Sequence, residues 1–148
     1  MKLIADMSGL PEETGEMHQR VQPNDVFEPV KGLYSQIIVC AEGPRYEIAG
    51  TLPYYLDGSL DEGLAEQSAV VMDNLGRSLA AVGLERSDIV RINIFTTDMD
   101  GFLKTSLDVV FGWFGDHRPT STLVEIARLA NPKILVEIEA VAIGAPKS

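Results

Sequence analysis

A single cysteine, Cys40, stands in the 148 residues, so no internal disulfide framework staples this chain, and a reducing, cytoplasmic setting is expected. Basic residues are also scarce. Twelve Lys and Arg against 22 Asp and Glu give a formal net charge of −10 and a pI near 4.5. Such a surface repels nucleic-acid phosphates, and the few basic residues form no stripe, so neither DNA nor RNA is an expected partner. Only two histidines, His18 and His117, are present, and they stand far apart in the chain. With one cysteine beside them they offer no spacing for a metal site. No apolar run approaches the roughly 18 residues of a membrane span. The opening MKLIADMSGLPEETGE lacks the apolar stretch of a secretory signal. P-loop, GxGxxG and GxSxG motifs are missing, and "DGSLDEG" only superficially echoes the last. No cofactor and no membrane association are expected.

What remains is an ordinary globular composition, 45% hydrophobic and 23% charged, in a length that suits one domain. Residues 1–30 are rich in turn formers and read as an irregular arm, with at most one short strand near Val26–Val30; residues 31–148 read as the domain. "LYSQIIVCAE" (Leu33–Glu42) and "RYEIAGTL" (Arg45–Leu52) are β-rich runs flanking Gly43-Pro44, which predicts a hairpin. In the next segment Leu64, Ser68, Val71, Leu75, Leu79 and Val82 recur at helical spacing, with Gly83 as the stop and Gly76 placed for close packing on the sheet. "SDIVRINIFTT" alternates as a strand, with Val90, Ile92, Ile94 and Thr96 on one face and Arg91, Asn93 and Phe95 on the other. Asp100 is the expected N-cap of a second helix whose stripe is Leu103, Leu107, Val110, Phe111 and Phe114, with His117 at its end, where positive charge is favourable. Two strands follow, at 120–129 and 134–143, with Asn131-Pro132 as the turn. The order ββαβαββ predicts an α+β fold, a mixed sheet with two helices on one face. In the last strand Ile134, Val136, Ile138, Ala140 and Ala142 share one face, and Leu135, Glu137, Glu139, Val141 and Ile143 the other. Both are largely apolar, so the helix-free face is expected to meet another subunit.

The pattern "VEIARL…VEIEAVAI" resembles the C-terminal signature of the YjgF/RidA family. Supporting matches are "GLYSQ" (Gly32–Gln36), "IAGTLP" (Ile48–Pro53), the run Asp73–Phe102 and Pro119 at the opening of the penultimate strand. The resemblance implies a chorismate-mutase-like fold assembled as a homotrimeric barrel, with ligand clefts between subunits. It also implies hydrolysis of reactive imines and enamines without metal or organic cofactor.

Hydrolysis of a 2-imino acid needs a carboxylate anchor, a positioned water and a group that moves protons. The resemblance assigns the water-positioning glutamate to Glu137 and a cleft aromatic to Tyr34. Its carboxylate-binding arginine, two residues after the strand-opening proline, is here Ser121, and its cleft serine is Ala49, before Gly50. Arg118 stands three residues before Ser121, too far along a strand to replace the arginine. Arg45, Arg91 and Lys133 are conceivable substitutes from a neighbouring subunit. The expected site is therefore catalytic Glu137 with substrate-binding Tyr34, Ser121, Ala49, Gly50 and Ser106. Glu125 and Arg128 are expected on opposite faces of one strand in structural roles, and Cys40 as a small buried hydrophobe. Two functions stay open: hydrolysis of an imine, enamine or related small carbonyl compound, distinct from the usual 2-aminoacrylate deaminase, or non-catalytic binding of a small molecule by the trimer. Ribonuclease activity is disfavoured by the acidic charge and by the lack of a histidine acid–base pair.

Overall fold

Alternation of apolar and ionisable residues along Val136–Ile143 produces a strand with two unlike faces. Val136, Ile138, Ala140 and Ala142 are buried, and Glu137, Glu139, Val141 and Ile143 are half-buried. The computed structural model describes residues 18–145. There this strand is β6, after β1 (Gln19–Val21), β2 (Ile37–Val39), β3 (Arg45–Thr51), β4 (Ile89–Thr96) and β5 (Thr120–Glu125); the helices are α1 (Leu64–Ala81), α2 (Met99–Thr105) and α3 (Leu107–Gly112). β6 lies between β3 and β4, antiparallel to both, and β5 adds in parallel to β4, so the order is β3-β6-β4-β5. The fold is α+β with a mixed sheet, as the element order implied.

The pairings differ from the expected hairpins. β2 does not pair with β3; it pairs with β1 in a separate two-stranded sheet. β5 and β6 are not hairpin partners either, because β6 crosses over to fill the place between β3 and β4. Gly43 permits this arrangement: a Cβ there would stand 3.0 Å from the Gly144 backbone, and Gly144 N–H donates to Pro44 O at 3.1 Å. The strand expected at Val26–Val30 is not formed. That segment leaves Val26, Phe27 and Val30 exposed and ends in a 3-10 turn, Val30–Gly32, while the arm's strand lies earlier, at Gln19–Val21. The penultimate strand ends at Glu125, so Arg128 lies in the loop beyond it and bonds to the carbonyls of Leu129 and Ala130.

The α1 stripe packs as its spacing implies. Leu64, Val71, Leu75 and Leu79 join Ile92, Ile94, Val136 and Ile138 in the core, whereas Val82 is the exposed C-cap. Gly83 takes φ 74°, and the buried Leu84 folds back, its N–H reaching Leu79 O at 2.9 Å. Gly76 packs against Trp113 rather than the sheet; a Cβ at this position would stand 3.2 Å from the indole ring. The second helix is broken. Asp98, not Asp100, caps α2 by accepting from Gly101 N–H at 2.9 Å, and the chain is interrupted at Ser106 before α3. That phase buries Phe102 and leaves Leu103 exposed.

Two amides of α1, seven residues apart and so on one face, tie the helix to the strand ends. Buried Gln67 donates to Asp61 O and Lys133 O at 2.9 Å each and accepts from Leu135 N–H at 2.8 Å. Asn74 donates to Leu52 O and Tyr54 O, at 3.0 and 2.8 Å. The exit of β3 and the entrance of β6 are thereby held to one rigid rod. His18 anchors the arm in a similar way, accepting from Ala41 N–H and bonding to Ile143 O, both at 2.9 Å.

His117 departs from the helix-end expectation. Burial lowers its pKa below the ordinary imidazole value, despite a hydrogen bond of 2.6 Å to Ile89 O that works in the opposite direction. The folded state thus binds this proton less readily than the unfolded chain. Stability is full above the unfolded value of about 6.5 and falls as pH drops through it. Melting curves between pH 7.5 and 5.5 should show this loss, and His117→Gln should flatten it; an unchanged slope in the variant would remove His117 as the cause.

Candidate functional site

The helix-free face of the sheet is built by the odd positions of β4 and β6. Arg91, Asn93 and Phe95 stand beside Val141, Glu139 and Glu137 in register, with Thr120, Thr122 and Val124 of β5 on their other side. Asn93 Nδ2 donates to Glu139 Oε1 at 2.8 Å, so Glu139 is engaged across the strands. Glu137 is not. Its carboxylate makes no hydrogen bond or ion pair among the described residues.

A register shift in β3 determines what covers Glu137. Ile48 pairs with Ala140 and Thr51 with Ile138, so one extra residue bulges between them. Ala49 and Gly50 occupy this bulge, and Glu137 Oε1 lies 2.2 Å from the place where a Gly50 Cβ would be. The carboxylate thus lies in the space that a side chain at position 50 would take. Three of the expected site residues, Ala49, Gly50 and Glu137, are brought together here.

Tyr34 lies elsewhere in the chain. Ser35 N–H donates to Pro119 O at 2.9 Å, which sets this segment against the entrance of β5. Glu137 pairs with Phe95, and Phe95 with Val124 near the exit of β5. Five residues of strand separate the two ends, about 16 Å. Tyr34 lines a cavity of about 410 Å³ with Arg20, Gln22, Glu28, Pro29 and Gln36. Ser121 pairs with buried Ile92 and so shares the core-facing side of the sheet, opposite to Glu137. Ser106 is fully buried and receives a hydrogen bond of 2.8 Å from Ser68 Oγ, which makes it a packing hydroxyl between helices rather than a cleft residue of this chain.

The other singled-out residues have visible partners. Glu125 accepts from Met99 N–H at 2.9 Å, at the start of α2. Cys40 is exposed, not buried, since β2 belongs to the small outer sheet. Arg118 bonds to the carbonyls of Gly32, Gly115 and His117, so its guanidinium is occupied in closing the loop before β5. Arg45 pairs with Glu47 at 2.7 Å, and Arg91 reaches Thr122 Oγ1 at 3.1 Å. Lys133 lines a separate hollow with Tyr54, Asp61 and Asn131. Sequence reasoning missed Gln67 and Arg20. A glutamine in an apolar helical stripe was a usable signal for the first; the arm's short alternating QRV was a weak one for the second. Among the described residues no three His, Cys, Asp or Glu side chains converge to hold a metal ion, and no helix is long and apolar enough to cross a membrane.

A four-stranded mixed sheet with helices on one face, and an acid seated over a bulge glycine on the other, defines a small α+β class of protein. The endoribonuclease L-PSP family model matches residues 27–144, and the chain belongs to that family, the one also named YjgF/RidA. A RutC family protein of Pyrococcus horikoshii is 34% identical over 116 residues, covering 75% of this chain and 86% of its own. The 2-iminobutanoate/2-iminopropanoate deaminase of Escherichia coli is 32% identical over 90 residues, 58% of this chain and 68% of the relative. The crystal structure of YyfB, a Rid family protein of Yersinia pestis, superposes with a TM-score of 0.80 at 23% identity, covering 86% of this chain and 99% of that one; it is similar in fold.

The bulge contact is directly testable. In Gly50→Ala the methyl group takes the place of a carboxylate at the end of a flexible side chain, so the fold should persist with a loss under about 2 kcal/mol. A crystal structure of the variant should show Glu137 turned away from β3. Denaturant unfolding that reveals a loss well above that figure, or an unmoved carboxylate, would contradict the arrangement.

Proposed function

We propose that this protein hydrolyses an imine, an enamine or a related small carbonyl compound in a cleft between subunits of a homotrimer, with Glu137 as the catalytic residue. The observation that carries this reading is the half-buried Glu137 carboxylate, seated over Gly50 with no partner among the described residues. A carboxylate so placed can accept a proton from water as the oxygen attacks the C=N carbon. The C=N electron pair moves to nitrogen, which takes up a proton; collapse of the carbinolamine forms the C=O bond and releases ammonia. Water supplies the oxygen and both transferred protons, so no redox partner enters.

Assembly is part of the proposal. Tyr34 and Glu137 stand at opposite ends of the sheet in one chain, and Ser121 is on the other face. A neighbouring copy that sets its β5 entrance against the first copy's Glu137 would bring them into one cleft. The exposed positions of the helix-free face, among them Arg91, Thr122 and Val124, are where such a neighbour would pack. The named activity of the Escherichia coli deaminase relative supports the reaction class. An exposed Cys40 is compatible with a reducing, cytoplasmic setting. Ser121 in place of an arginine favours the alternative, a trimer that binds a small molecule without turning it over.

Ammonia release should be measured over a panel of imines generated in situ, together with the solution molar mass. Glu137→Gln should abolish turnover above buffer and leave both the mass of a trimer and the melting temperature unchanged. A wild-type protein without turnover but with ligand-induced thermal shifts would favour the binding alternative; a monomer mass would sink both.

A further inference from the structure

The small outer sheet is held by little. β1 and β2 pair over three residues only, and the strands of the main sheet do not extend their ladder. A two-stranded sheet this short is marginal by itself. The half-buried His18 ring adds a bolt at its end. Nδ1 accepts from Ala41 N–H, just past β2, and Nε2 donates to Ile143 O, at the end of β6, both at 2.9 Å. A carbonyl can only accept and an amide N–H can only donate. The two partners therefore fix the ring as the neutral Nε2–H tautomer.

A further proton has one place to go. It enters Nδ1, where it meets the Ala41 N–H, and the acceptor becomes a donor. The bond to Ala41 is lost, and a half-buried amide is left facing another donor. The bond to Ile143 O is kept and gains charge assistance. The ring thus stays on β6 while its hold on the exit of β2 fails. Charges of both signs stand around it: Arg20 on the arm, Glu42 beside Ala41, Asp88 before β4 and His117 before β5, the last close enough for His18 to disfavour its protonation. The bonding pattern of the ring therefore sets the outcome. We propose that His18 is a pH-dependent bolt, whose protonation at Nδ1 frees β1 from β2 and opens the cavity of about 410 Å³ that the arm walls. Arg20, Val21 and Gln22 of the arm line that cavity together with Tyr34, Ser35 and Gln36. The docked arm holds the neutral ring, so attachment is full at the higher pH and is lost as pH falls. The inference concerns the arm and stands apart from the reaction proposed above.

Hydrogen exchange of the full chain at pH 7.5 and 5.5, corrected for the intrinsic pH dependence of amide exchange, tests this. The two values bracket the range in which an ordinary histidine changes charge. Protection of residues 37–41 should fall by at least about tenfold beyond any change in β4 and β6, the effect of losing roughly one hydrogen bond. Neither His18→Gln nor His18→Phe titrates, so each should give one level at both pH values. The level should be high in the first, whose amide supplies an acceptor and a donor, and low in the second. His117→Gln should leave the response in place, which separates the bolt from the loss of overall stability. Ring nitrogen-15 spectra of the wild type should show Nδ1 without a proton at pH 7.5. A protonated Nδ1 at that pH, or a loss at 37–41 no greater than in β4 and β6, overturns the proposal. So does a response that persists in His18→Phe or vanishes in His117→Gln.

Discussion

Insertion of β6 between β3 and β4 is the constraint on which the rest depends. A central strand must satisfy a hydrogen-bonding neighbour on each edge and a different solvent on each face. Residues Val136–Ile143 meet the second demand by alternation: the even positions enter a core shared with α1, and the odd ones hold two carboxylates on the face the helices leave open. Because the period is two, a slip of one residue would bury Glu137 and Glu139 among leucines and isoleucines, at a cost of several kcal/mol for each carboxylate, comparable with the whole stability of a domain. The register is consequently strict. The β3 bulge accommodates it, admitting one extra residue where Glu137 needs space beside Gly50.

The second requirement is that the strand ends be held still. Gln67 is fully buried, and each of its three hydrogen bonds goes to backbone. Leu135, two residues before Glu137, is gripped from both sides, by Gln67 through its N–H and by Thr96 and Thr97 through its carbonyl. These polar bonds add less net stability than the apolar contacts around them, but a buried donor or acceptor left without its partner is expensive. They therefore act on position: they determine where β6 begins, and through it where the carboxylate sits over β3.

Local patterns were readable where a residue's environment depends on period alone. The faces of β4 and β6, the α1 stripe and the Gly83 stop follow from steps of two or from 3.6-residue turns. Pairing was not readable. Gly43-Pro44 and Asn131-Pro132 look like hairpin turns, yet whether adjacent strands pair depends on what else competes for their edges, and β6 competes for two. The broken second helix was misread for a related reason. A continuous apolar stripe through Leu103 ignores that Asp98 starts the helix two residues earlier than Asp100 would, and this turns Phe102 inward. At the site, the family motif points to Glu137, Gly50 and Ala49, which the β3 bulge brings together. Ser106 is buried against Ser68, a placement that a serine within a helix does not reveal in sequence.

Charge decides how the two ends of the sheet differ. The helix-free face has its own acids, and its arginines are already engaged with Glu47 and Thr122. An anionic ligand approaching Glu137 from that side would meet repulsion with little to offset it. At the β5 entrance the balance differs: Ser35 gathers Arg20 and the Arg118 carbonyl at one point, and among the described residues only Nε of the Arg20 guanidinium is hydrogen-bonded. On the proposed reading, whether this sheet would act as a catalyst or a receptor turns on how a neighbouring copy packs on the helix-free face, more than on the identity of any single side chain.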